Sequence, residues 1–209
     1  MNGPWLLILL LSELPVAFLL ALGAAGRARW CGAGRTAALV AAVLTPLLAE
    51  GLRHVLLRSG QYLFVVHPVL VLAAMLAGGL AGWAVGGRLR AERLLPALDA
   101  LGFFLLTALL VHSGLASGLY EAQIGLCLLA WLIAGLTSLL RDMLLGDASR
   151  LMEEQVYATG MALAALLLLA ARLHWPALCL ADQLGLVWAC ALIPLLLREA
   201  IRSRRTARH

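Results

Sequence analysis

The sequence predicts an all-α integral membrane protein of seven transmembrane helices, and three observations predict it. Hydrophobic residues make up 63% of the 209-residue chain, and the mean hydropathy is +0.96. Charged residues make up 13%, about half of what a soluble surface requires. Continuously apolar runs of about 20 residues, the length that crosses a bilayer, nearly exhaust the chain. The runs do not alternate as strands do, and an open sheet in lipid leaves backbone groups unpaired, so strands are excluded. Soluble enzymes, disordered tails and secreted disulfide scaffolds are excluded with them.

The first run, 4–25, has no positive segment before it and is followed by Arg27, Arg29 and Arg35, which marks a retained helix rather than a secretory signal. It contains Glu13, for which the sequence offers no role. In the second run, 36–57, Pro46 and Gly51 are the residues that would kink the helix. Glu50, Arg53 and His54 follow at i, i+3 and i+4, so they share a face. That face must turn toward protein or water, because a charge near the bilayer centre costs about 2.5 to 3.5 kcal/mol. A neutral staple of Glu50 with Arg53 between helices is the competing reading. The third run, 63–87, carries Gly78, Gly82 and Gly86, a small-residue seam expected to pack within the subunit.

The fourth run, 94–117, begins near Asp99, which can cap the helix or pair with Arg90 or Arg93, or support a pore or gate. The fifth, 119–145, places Thr137, Ser138 and Arg141 on one face, with Asp142 one turn beyond Ser138. Hydroxyls and backbone carbonyls exposed at a kink near Gly135 are the oxygen ligands a partly dehydrated monovalent cation needs. The two arginines Arg53 and Arg141, counted against Glu50 and Asp142 alone, are equally compatible with an anion path. The sixth run, 155–173, and the seventh, 176–197, complete the set, and a basic tail able to touch anionic lipid follows Arg198. Trp5, Trp30, Trp83, Trp175 and Trp188 fall near run ends, as interfacial anchors do.

All sixteen residues in the Lys+Arg count are arginine, and most lie between runs. With the N-terminus outside, twelve of them fall on the cytoplasmic side, so the positive-inside rule predicts N-out and C-in. The net charge of +5 is thus a topology signal and implies no nucleic-acid partner. Cys31, Cys127, Cys179 and Cys190 show no metal-type spacing and are expected to be free thiols. No HExxH, GxSxG or Walker motif occurs, so neither an enzyme nor a cofactor is implied, and no metal beyond a transient permeant cation.

The chain also matches itself. Gly51-Leu52-Arg53-His54-Val55-Leu56-Leu57 aligns with Leu139-Leu140-Arg141-Asp142-Met143-Leu144-Leu145 at a shift of 88 residues, each copy late in the second helix of a triplet. Three is odd, so two successive triplets enter the membrane with opposite polarity, the inverted repeat of many transporters and channels. The expected organisation is a first triplet at 1–93, an inverted second at 94–175, and a seventh helix with its tail at 176–209.

Leu98-Asp99-Ala100-Leu101-Gly102, Arg141-Asp142-Met143-Leu144-Leu145-Gly146, Tyr157-Ala158 and His67-Pro68 together resemble the bacterial membrane-protein family that includes the prokaryotic trimeric intracellular cation channels. The resemblance spans about residues 17 to 200. It implies a homotrimer in a prokaryotic inner membrane, each subunit with its own potassium-permeable path between kinked helices two and five. The chain departs from the family where glycine triplets usually precede each arginine. Here those positions read Leu48-Ala49-Glu50 and Leu136-Thr137-Ser138, and the first copy has Arg53-His54 in place of Arg-Asp. A secondary transporter of a small zwitterion such as glycine is the alternative, with half-helix N-termini for its carboxylate and Glu50 for its amine.

Overall fold

A computed structural model describes residues 3–57, 67–87, 91–116, 123–146 and 155–206. Seven helices account for nearly all of them: α1 (Gly3–Trp30), α2 (Arg35–Leu57), α3 (Pro68–Gly86), α4 (Ala91–Ala116), α5 (Gln123–Leu144), α6 (Gln155–His174) and α7 (Leu180–Thr206). Each is long and apolar enough to cross a membrane, and no strand occurs among the described residues. Among the arginines used to orient the chain, Arg58, Arg88, Arg90, Arg150 and Arg208 lie outside the described residues.

α1 and α4 form the centre of the bundle and are its most buried helices. α1 packs against α2, α3 and α4, while α4 packs against α5, α6 and α7, and α2 meets α5. Every pairing within α1–α2–α3 therefore recurs within α4–α5–α6. α7 fills the remaining side, placing Val187, Cys190 and Ala191 in the core with Phe103, Phe104, Leu168 and Met161.

The glycine seam of α3 faces α1. A methyl group at Gly78 would meet the carbonyl of Phe18, one at Gly82 the carbonyl of Leu22, and one at Gly86 would lie 2.8 Å from the carbonyl of Gly26. Both helices advance by four residues per contact, so α1 and α3 run in parallel with their backbones touching. This is packing inside one subunit, as expected.

Two expectations about helix limits are corrected. α1 continues five residues past the apolar run, so Arg27 lies inside it and is buried rather than in a loop. α7 likewise continues to Thr206, so much of the basic tail is helical; arginine is a good helix former, and the backbone ladder does not stop where apolarity stops. α2 and α5 run unbroken through Pro46, Gly51 and Gly135. Gly51 is exposed with nothing near its Cβ position, so no packing demands a break there. Thr45 and Thr137 each donate a hydrogen bond of 2.8 Å to the carbonyl four residues back, Ala41 and Ile133 respectively, which binds them to their own helices.

The four cysteines are free; Cys127 and Cys190 are buried, Cys31 and Cys179 exposed. Trp30 and Trp175 are exposed near helix ends, as anchors are, and Trp188 packs partly into the core. Trp83 instead sits under the Arg29 guanidinium, 4.7 Å from its ring centroid, and its carbonyl accepts from that side chain, so it pins α3 to the end of α1.

Candidate functional site

Each copy of the repeated arginine is buried and grips a carboxylate on the first helix of its own triplet. Arg53 of α2 is 2% exposed and its Nη1 donates to Oε1 of Glu13 on α1 at 2.8 Å. Its Nε lies 3.4 Å from Oε2 of Glu50. Arg141 of α5 is fully buried, and its Nη1 donates to Oδ1 of Asp99 on α4 at 2.5 Å. The two pairs occupy equivalent helices, α2 with α1 and α5 with α4.

The second cluster is the larger. Arg141 Nε donates to Oδ1 of Asp142 at 2.9 Å, and its guanidinium covers the Phe103 ring at 5.1 Å. The Tyr157 hydroxyl on α6 donates to Oδ2 of Asp99 at 3.0 Å. Arg27 Nε of α1 approaches Asp142 at 3.6 Å. Gly23 of α1 leaves the space that the Asp99 carboxyl fills, since a methyl group there would overlap it. Four helices thus meet on one charge network, in which each buried charge faces an opposite one. With three crossings between them, the two clusters sit toward opposite faces of the membrane: Glu13 near the face where α1 begins, Asp142 near the face where α5 ends.

A narrow cavity opens beside the first cluster. It is lined by Glu13, Glu50 and Pro46 with apolar residues that include Val71 and Met75 of α3 and Leu106 of α4. It has room for about one water. Arg53 itself is not in the lining; its two carboxylate partners are.

Of the residues singled out in the sequence, Glu50 and Arg53 come together, as do Arg141 and Asp142. His54 is exposed where Arg53 is buried, because adjacent residues on a helix point about 100° apart. Thr137 and Ser138 are fully buried, and Ser138 Oγ has no hydrogen-bond partner. Asp99 pairs with Arg141 and does not cap α4, which begins more than two turns earlier at Ala91. Glu13, Tyr157, Arg27 and Gly23 were not read as site residues. A signal for Glu13 existed: the shift of 88 residues that matches the arginines, moved by two, places Glu13 on Asp99.

A scan against protein-family models and a search of curated proteins each found no match. Solved structures do match. The chain is 20% identical to the trimeric intracellular cation channel orthologue from Rhodobacter sphaeroides, covering 91% of this chain and 96% of that one with a TM-score of 0.72. A second structure, from work on conductance through TRIC cation channels, is 16% identical, with 91% and 92% covered and a TM-score of 0.68. The chain has the fold of these channels over nearly its whole length.

Proposed function

We propose that the chain is a potassium-permeable monovalent cation channel, assembled as a homotrimer, with one path per subunit alongside α2 and α5. The observation that carries this reading is the fold shared with proteins described as trimeric cation channels; the carboxylate-lined cavity beside the first buried arginine adds a polar recess on the α2 side, among α1 to α4. The charge balance supports cations over anions. Among the described residues, Arg53 faces two carboxylates, Glu13 and Glu50, and Arg141 with Arg27 faces two more, Asp99 and Asp142. Each buried guanidinium is matched by a carboxylate, so neither is left to repel a cation.

The carrier reading loses the feature it relied on. Half-helix N-termini at Pro46 or Gly135 would have bound a substrate carboxylate, and α2 and α5 are continuous at both positions.

Reconstitution in a planar bilayer under a potassium chloride gradient tests the proposal. Unitary currents reversing near the potassium equilibrium potential are expected. Reversal near the chloride value, or saturable glycine uptake without unitary current, would falsify it.

The N-out orientation follows from the arginine distribution and has its own test. With seven crossings, exposed Cys179 at the start of α7 lies on the face where α1 begins, and exposed Cys31 on the other. A membrane-impermeant thiol reagent should label Cys179 on intact cells and Cys31 only after permeabilisation. The reverse pattern inverts the topology.

A further inference from the structure

The two triplets repeat one arginine clamp and surround it differently. At the shift that sets Glu13 on Asp99, Ala17 of α1 falls on Phe103 of α4, and Val71 and Met75 of α3 fall on Tyr157 and Met161 of α6. Met75 and Met161 are both fully buried, so the correspondence holds in the packing as well as in the sequence. Around the second arginine the two aromatic positions are filled. Phe103 lies under the Arg141 guanidinium, Tyr157 donates to Asp99, and the two buried rings pack with centroids 6.0 Å apart.

Around the first arginine a methyl and an isopropyl group stand in place of those rings, and both Ala17 and Val71 line the cavity with Glu13 and Glu50. Smaller side chains at both positions account for that space. Val71, at the Tyr157 position, also carries no donor for a carboxylate. Oε2 of Glu50 is buried and accepts no hydrogen bond from the described residues; its 3.4 Å approach to Arg53 Nε is an ion-pair contact alone. A water in the cavity has two hydrogens to give, and two carboxylates beside it to receive them.

We propose that the cavity is a water site built into the first copy of the repeat: one ordered water donates to Glu13 and Glu50, and Val71 and Ala17 keep its place open. Tyr157 supplies in the second copy the donor that water supplies in the first. An ion pair that water can solvate gives up its partner at lower cost than a dry one. α2 is therefore the helix whose arginine can change partners, and α5 is the fixed strut. This difference between the copies holds whether or not the chain conducts ions.

Radiolytic hydroxyl-radical labelling of the purified full-length protein in detergent, read by peptide mass spectrometry, tests it. Radicals formed from a bound water oxidise the side chains beside it, and methionine is readily converted to its sulfoxide. Met75, which lines the cavity, should be oxidised several-fold faster than Met161, although both are buried. Val71→Ile adds one methylene to the lining and should bring Met75 down to the Met161 rate, whereas Val71→Ala should leave it high. Glu13→Gln should lower the unfolding temperature less than Asp99→Asn, because only in the first copy can water serve the partner left behind. Equal rates at Met75 and Met161 in the wild type overturn the proposal, as does a Met75 rate unchanged in Val71→Ile or an equal loss of stability in the two carboxylate variants.

Discussion

Asp99→Ala is expected to destabilise the protein by about 3 to 5 kcal/mol, the range found when one partner of a buried ion pair is removed. The mutation leaves the fully buried Arg141 with Asp142, a carboxylate already approached by Arg27, and strips the Tyr157 hydroxyl of its acceptor. Two guanidiniums would then share one carboxylate away from water. Thermal or denaturant unfolding in detergent measures the effect. The expected signature is non-additivity: Asp99→Leu combined with Arg141→Leu should be milder than Asp99→Ala alone, because removing both charges removes the desolvation cost together with the attraction. If Asp99→Ala unfolds like the wild type, the network is not what joins α4, α5 and α6.

Gly82→Leu should be comparably severe for a different reason. The Cβ it adds would collide with the carbonyl oxygen of Leu22, and a backbone atom cannot rotate away as a side chain can. α1 and α3 would have to separate along the whole seam, since Phe18 and Gly26 contact Gly78 and Gly86 in the same way. Overpacking of a tight core costs about 1 to 3 kcal/mol, and a backbone clash belongs at or above the top of that range. Gly51→Leu is the control: its Cβ position meets nothing within 4 Å. Expression and unfolding of the two variants side by side decide the point; equal stability would mean that the seam is loose.

The fold was legible because lipid imposes one requirement on every span: an apolar, self-bonded helix of about 20 residues. Each of the seven runs holds a helix, and the four-residue spacing of Gly78, Gly82 and Gly86 marks a close-packing seam, while its partner α1 shows only in the fold. The site was only half legible. Spacing along one helix brought Glu50 to Arg53, because that contact is local. Glu13 lies 40 residues from Arg53, and Asp99 lies 42 from Arg141. Nothing in a helix period reports which neighbour a buried charge will meet. His54 shows the converse, a residue next to the buried arginine in sequence and exposed in the fold.

Composition and the rhythm of apolar runs by themselves determined that this chain is a bundle of seven membrane helices with a duplicated arginine, because hydrophobic length is a property of each segment alone. The tertiary structure decided that both arginines are neutralised by carboxylates of α1 and α4, that α2 and α5 run unbroken, and that Glu13 and Glu50 line a cavity. Those outcomes depend on which faces meet across helices. They are set by close packing at Gly23, Gly78 and Gly82 together with the need to pair every buried charge.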